Sequence, residues 1–348
     1  MNSVSPSIAS RPQQFSKDIQ RLQILYSEAQ AQLSSGRPSD IALALGSSAG
    51  RFVSLENRVK SLETLISSNA TVRARLEVVD SAISKVQESS DAFGRNMIAS
   101  VGGILERDRL ANVSKSFAQD IQSFAQTSYG GVFVLSGARS DAPAVREFVS
   151  GSASGRALVA ESFRSTFGFD VHDGRASSLS SSQIEDWISG EFSSLFTDDN
   201  WRSAWTDAGA KASKVRISEL ESAVLPAASS DPGLRKIVMA SVLMLEFSDS
   251  ALHDSALNAV VENSLKFVKN GSDDLTKFRA GNGDLINRVD EASRSASIQK
   301  DLYAASASDL VNVDSLELAL RIEDLRVRLE ASYTATARFN QMSLVNYI

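Results

Sequence analysis

Residues 52–104 read FVSLENRVKSLETLISSNATVRARLEVVDSAISKVQESSDAFGRNMIASVGGI. Phe52, Leu55, Val59, Leu62 and Ile66 recur at alternating steps of three and four. After a phase slip at Asn69 the spacing resumes at Val72, Leu76, Val79, Ile83 and Val86. An apolar seam sustained over that distance, with Glu56, Arg58, Lys60, Glu63, Arg73, Arg75, Glu77, Lys85 and Glu88 between its members, is the signature of a coiled coil rather than of a short globular helix. The slip is a local change of period, which coiled coils absorb by altering their supercoil. One such helix is unstable alone, so the rest of the chain must supply its partners.

Working outward, Gly102-Gly103 predicts a turn, because paired glycines weaken a helix. A second helix is expected over Asp108–Gln126, with Leu110, Val113, Phe117, Ile121 and Phe124 on one face, folding back antiparallel on the first. Tyr129–Gly137 reads as a strand bounded by glycine turns. From 138 to 230 serine and glycine rise, heptads vanish and all three tryptophans appear, Trp187, Trp201 and Trp205. Ala157–Phe169 and Val215–Ile217 suggest strands, and Ser182–Phe196 a short helix behind a serine cap. Asp231-Pro232-Gly233 leaves this insert with Asp231 as N-cap and Pro232 in the first helical turn. Apolar spacing then runs from Leu234 through Val268 to a C-terminal stop at Asn270-Gly271. It returns over Leu275–Val289 through a weak point at Gly281-Asn282-Gly283.

The two ends are thin. Ile19, Leu22, Leu25 and Leu33 make one stripe before Ser34-Ser35-Gly36-Arg37-Pro38 breaks the helix. Val313-Asp314 opens a terminal helix carrying Leu318, Ile322, Leu325, Leu329, Tyr333, Phe339 and Leu344. Four apolar side chains on the first arm contribute at best about 6–12 kcal/mol on burial, against an ordering cost of roughly 1–2 kcal/mol per residue. Neither arm should fold by itself. The expected fold class is therefore mainly α: an elongated antiparallel coiled-coil bundle built from N- and C-terminal halves, with a small mixed α/β domain inserted at its tip. The expected divisions are an N-terminal arm 1–48 that pairs with 310–348 and is disordered in the monomer, rod halves at 49–137 and 231–309, an inserted outer domain at 138–230, and a C-terminal arm 310–348. All eleven named arm residues, from Ile19 to Leu344, are candidate subunit-interface positions.

Composition narrows the chemistry. The chain has 348 residues, 43% of them hydrophobic, a formal net charge of -6, no cysteine and two histidines. Basic residues alternate with acidic ones, so nothing collects the phosphates of a nucleic acid or an anionic membrane. The longest apolar run, Ile237–Leu245, is half a membrane span. Residues 1–14 lack the basic and apolar segments of a secretory signal. Asp249 and His253 stand four apart on an expected helix, but a metal site needs three or four converging ligands. Asp170-Val171-His172-Asp173-Gly174 departs from calcium-loop spacing, and no nucleophile elbow supports a serine hydrolase. No catalytic, cofactor-binding or metal residue and no cofactor is expected, and the chain reads as no enzyme.

Leu33-Ser34-Ser35-Gly36-Arg37-Pro38-Ser39-Asp40 with Leu45-Gly46, Thr127–Gly137, Val311-Asn312-Val313-Asp314, Leu329-Glu330-Ala331-Ser332-Tyr333 and Ser343–Ile348 together resemble the axial proteins of the bacterial flagellum. The likeness covers 1–137 and 231–348. Within that family the chain is most similar to the hook-associated protein three group, the hook–filament junction proteins. It departs from the flagellins in lacking an Ile-Asn-Thr-Asn start, and Gln126 replaces an asparagine. The resemblance implies an extracellular structural subunit at the hook–filament junction, exported by the flagellar type III route without a cleaved signal. Its partners would be other copies of itself, the hook-side junction protein, flagellin and an export chaperone, with no nucleic acid, membrane or small-molecule substrate. Flagellin itself is the alternative, and a cytoplasmic regulatory coiled coil a remoter one.

Overall fold

The computed structural model describes residues 11–101, 107–137, 139–150, 154–208 and 213–345. The Gly102-Gly103 turn, Ile104 and the last three residues lie outside them, as do the side chains of Phe339 and Leu344. The described residues are mainly helical, with two small two-stranded sheets among them. It divides into two compact units, Met1–Thr64 with Ser297–Ile348, and Leu65–Ala296.

In the first unit, α1 (Arg11–Ser35) lies antiparallel to α10 (Ser315–Val345). Gln23 Nε2 donates to the Tyr333 hydroxyl at 2.6 Å midway along the pair. At one end the Val313 amide donates to the Gly36 carbonyl at 3.2 Å. Gly36 closes α1 with φ 68, a left-handed conformation that glycine adopts without strain. Asp40 caps the short α2 (Ile41–Leu45) by accepting from the Leu43 amide, and Asp314 caps α10 through the Leu316 and Glu317 amides. The start of α3 (Ala49–Val101) packs Phe52 against Ala307 and Val311 at the end of α9 (Asp254–Val311).

The second unit holds the rest of α3 and α9, also antiparallel. Asp80 accepts a two-point contact from Arg279, at 2.9 and 3.0 Å, and Gln87 reaches the Ser272 carbonyl and the Thr276 hydroxyl. Val72, Leu76, Val79, Ile83 and Val86 are all buried, as their spacing requires. Asn69, the point of the slip, is itself on the seam and fully buried; two consecutive steps of three, 66 to 69 to 72, are the change of period. Its Nδ2 donates to the Ile217 carbonyl at 2.9 Å. Helix α4 (Arg107–Ala125) folds back on α3, with Phe93 and Phe117 stacked at 4.2 Å and Ser89 bonded to Asp120.

A tight hairpin of β1 (Ser128–Tyr129) and β2 (Val132–Phe133) follows, turning at Gly130-Gly131 where both φ angles are positive. The expected strand is thus half of a pair. The segment 154–167 is helix α5 (Ser154–Phe167), which corrects the strand expected from Ala157 onward. Its apolar residues, Val159 and Phe163, fall four apart and enter one core, a helical period that aromatic and β-branched content obscured. Helix α6 (Ser181–Trp187) starts at a capping box of Ser180 and Gln183, two residues before the expected serine, and runs into a π turn at Ile188–Phe192. The short α7 (Asp198–Asn200) leads to a second π turn, Trp201–Trp205. All three tryptophans are core: the Trp201 and Trp205 indoles donate to the Ser229 and Leu195 carbonyls. The Trp205 ring lies on Gly155, where a Cβ would stand 2.7 Å from it. Strands β3 (Ser213–Arg216) and β4 (Ser222–Leu225) form the second hairpin, which sets Ile217, Ala223 and Leu225 against Val72, Leu76, Leu285 and Val289.

Asp231 caps α8 (Pro232–Phe247) as expected. The helix stops at Phe247 rather than continuing, because Ser248–His253 turn the chain and Arg107 binds the Ser250 and Leu252 carbonyls and the Asp254 carboxylate. Conversely, Asn270-Gly271 is no stop: α9 runs unbroken through it and through Gly281-Asn282-Gly283. Gly271 is small because α8 crosses there. A Cβ on it would stand 2.8 Å from Ile237 Cδ1 and 3.0 Å from the Gly233 carbonyl oxygen.

Candidate assembly surface

An assembly surface is apolar area that the chain's own core leaves uncovered. Ten of the fifteen large apolar side chains that stand exposed among the described residues lie in the first unit, which holds about a third of the chain. The reason is visible on α10. Leu318, Ile322, Leu325 and Leu329 fall within about 60° of one another at about 100° per residue. Leu318 and Leu325 are buried with Ala29, and Leu22, Leu25, Tyr26 and Ile322 pack around them. A second stripe, Leu316, Leu320 and Val327, falls within about 40° on the opposite side. It is open, with 72%, 66% and 53% of each residue exposed.

The same division recurs on neighbouring helices. Ile24 on α1 is 57% exposed and points away from the Leu22–Leu25 seam, while Ile298 and Leu302 on α9 stand opposite Ala307 and Val311. Ion pairs rim the α10 stripe. Arg326 joins Glu323 and Glu330 on one flank, and Arg328 joins Asp324 on the other. The hydrogen bonds from Arg326 hold the Glu323 carboxyl below its ordinary pKa, and the same pairing raises the guanidinium. Both carry full charge at neutral pH, so an apolar strip lies between charged borders.

Of the eleven candidate interface residues, Leu22, Leu25, Leu318, Ile322 and Leu325 meet within the chain, in the α1–α10 seam. Ile19 and Leu329 are half-buried. Leu33 and Tyr333 are exposed. Phe339 and Leu344 belong to α10, but their side chains lie outside the described residues. Sequence reading missed Ile24, Leu316, Leu320 and Val327. The available signal was a second apolar period on α10, hidden because two opposite stripes cancel when a helix is scored for one-sidedness.

The remaining chemistry is structural. Asp249 and His253 lie in the turn between α8 and α9, not on a helix as expected. His172 contacts the Asp249 carbonyl and His253 the Ser255 hydroxyl. Asp170 and Asp173 hold the polar turn between them by accepting from the His172 and Arg175 amides. The Arg175 guanidinium brings the exposed Asp173 carboxyl down to about 2. Among the described residues no three histidine or carboxylate side chains gather as a metal site, and no helix is long and apolar enough to cross a membrane.

Two family models match the chain: the bacterial flagellin N-terminal helical region over residues 10–140 and the bacterial flagellin C-terminal helical region over 265–348. Among curated proteins no sequence matches. A solved structure from Vibrio parahaemolyticus, described as a flagellar hook-associated protein, shares the fold with a TM-score of 0.51 and 13% identity, covering 76% of this chain and 97% of that one.

Proposed function

We infer the role of this chain from its family: it belongs to the flagellin-like proteins of the bacterial flagellum, whose terminal helical regions it carries at both ends. It is a structural subunit of that extracellular organelle and associates with its own copies and with other axial proteins. The finer reading is that it forms the hook–filament junction, between the hook-side junction protein and flagellin. The likeness to a structure described as hook-associated supports this, as does the resemblance of the segment Ser343–Ile348 to the junction group.

In this reading the arms 1–48 and 310–348 form the inner wall, 49–137 and 231–309 the shell, and 138–230 the outer domain. The eleven arm residues supply contacts within and between copies. The observation that carries it is the double use of α10, one apolar stripe closed by α1 and the opposite one open between charged borders. An arm with so little closed core is poorly ordered when alone and becomes ordered among neighbours. Export proceeds unfolded, with a chaperone holding the terminal helices until assembly.

Antibody labelling of sheared flagella tests the position. Label in a short band where hook meets filament is the expected result, and deletion of the gene should release filaments from intact hooks. Label along the whole filament would make the chain flagellin instead, and flagella free of label would overturn the structural role.

A further inference from the structure

We propose that α9 carries a built-in bending point at Gly281-Asn282-Gly283, about which the part of the second unit that holds the β3–β4 hairpin tilts against the rest. The motion belongs to the single chain and needs no second copy.

The apolar core of this unit is divided. On one side Val79 and Ile83 of α3 join Leu275 of α9 in the large core that includes α4, α5 and α8. On the other, Val72 and Leu76 of α3 join Leu285 and Val289 of α9 and the inner face of the hairpin. The division falls between 76 and 79 on α3 and between 278 and 285 on α9, and these two stretches face each other. Polar contacts cross it. Asn282 Nδ2 donates to the Leu76 carbonyl at 2.9 Å, and Arg75 Nη2 to the Gly137 carbonyl at 3.3 Å. The two-point Arg279–Asp80 pair stands on the first side and closes that core. Single hydrogen bonds stabilise far less than a filled apolar layer, so each part is held more firmly within itself than to the other.

The three residues of α9 in this division each weaken it. Glycine is the poorest helix former after proline, and packing requires neither Gly281 nor Gly283. A Cβ at either would meet nothing within 4 Å, and neither has a positive φ, so alanine fits the same backbone. Gly271 on the same helix is the contrast, since α8 crosses against it. Asn282 is buried at 1% exposure with its Oδ1 unpartnered, and the Leu76 carbonyl that it reaches lies inside α3. Two alanines around a leucine would make a stiffer and better packed junction. Helices kink at paired small residues of this kind. Room for the motion is present: an open groove of about 450 Å³ lies beside Gly283, between Glu77, Ser81 and Ser84 of α3 and Ile286 of α9. Bending α9 toward α3 narrows this groove without a clash.

The chain has no cysteine, so spin labels can be placed in chosen pairs on the full chain in dilute solution. Lys115→Cys on α4 and Ser222→Cys on β4 are exposed positions on opposite sides of the division. Lys115→Cys with Leu158→Cys on α5 is the control pair, both on one side. Pulsed electron resonance reads the spread of each distance. The 115–222 spread should be at least about twice the 115–158 spread. Gly281→Ala together with Gly283→Ala should narrow the first and leave the second unchanged. Amide exchange over 281–287 should slow at least about tenfold in the same double variant. Both new methyl groups enter open space, so the variant folds. A 115–222 spread no wider than the control overturns the bending point. A wide spread that the alanines leave unchanged also overturns it and puts the mobility in the hairpin itself, and exchange over 281–287 that the alanines do not slow does the same to the weak point in α9. Because no assembly is measured, each of these results leaves the structural-subunit reading standing.

Discussion

The glycine at the crossing of α8 and α9 gives the sharpest test of the packing account. Gly271→Ala and Gly281→Ala make the same change on the same helix. Alanine in place of glycine in a helix gains about 1 kcal/mol of propensity. At Gly281 nothing lies within 4 Å of the new methyl, so the full gain should appear, raising the melting temperature of a unit of this size by about 2–4 °C. At Gly271 the methyl stands 2.8 Å from Ile237 Cδ1 and 3.0 Å from the Gly233 carbonyl oxygen. Ile237 is fully buried and the carbonyl belongs to the backbone, so the strain is that of an overpacked core, about 1–3 kcal/mol. The net change runs from zero to a loss of about 2 kcal/mol, and Gly271→Ala should melt several degrees below Gly281→Ala. Gly233→Ala meets the Gly271 carbonyl at 2.8 Å and Leu275 Cγ at 2.9 Å and should fall with it. The Gly233/Gly271 double variant should lose less than the sum, since one shift of the helices relieves both contacts. Thermal unfolding followed by circular dichroism reads all four. If Gly271→Ala melts at or above Gly281→Ala, the close crossing is not there.

Two buried amides give opposite outcomes. Asn69→Leu leaves the Ile217 carbonyl without its donor and should cost about 1–3 kcal/mol, whereas Asn282→Leu removes a second donor from the Leu76 carbonyl, which lies inside α3, together with its own unpartnered Oδ1, and should be neutral or stabilising in denaturant titration. Burial raises the Asp231 carboxyl pKa, so its contribution is present below the ordinary value of 3.8 and lost as pH rises through the folded one. Asp231→Asn, which keeps the cap, should therefore gain on the parent as pH rises. Hydrogen bonds from Lys236 and Lys277 lower Asp274, whose contribution is present above 3.8 and lost as pH falls through the folded value; Asp274→Asn should cost more near neutrality than in acid. On α10, Leu325→Ala should destabilise the α1 pairing by about 2–3 kcal/mol, while Leu320→Glu should leave melting within about 0.5 kcal/mol and abolish sedimentable assemblies.

The long helices were legible because their signal is redundant: ten apolar residues repeat the α3 period, so one polar member at Asn69 bends the pattern without erasing it. Two helix starts were equally readable, since Asp231 and Asp314 each do one local job that their side chain dictates; the Asp40 cap of α2 emerges only in the structure. What failed was inference from single glycines. Gly36 ends a helix with Pro38 close behind it, whereas Gly271 lies within one; the Asn270-Gly271 pair imitates a stop, because that glycine is set by α8, which crosses from nearly forty residues away. The composition of α5 suggests a strand for a related reason: its burial is decided by Trp187, Trp205 and Phe247 from elsewhere in the chain, not by its own β-prone residues. The open stripe on α10 was hidden by symmetry, as two apolar faces look like none.

In the proposed assembly the outer faces of α1 and α10 are left open by the lone chain and covered by its neighbours. Deuterium exchange along these two helices, compared between dilute monomer and purified assemblies, addresses it directly. Amides of Arg11–Ser35 and Ser315–Val345 should exchange quickly in the monomer and at least about a hundredfold more slowly once assembled, with exchange in Leu65–Ala296 little changed. Equal and strong protection of both helices in the two states would contradict the claim.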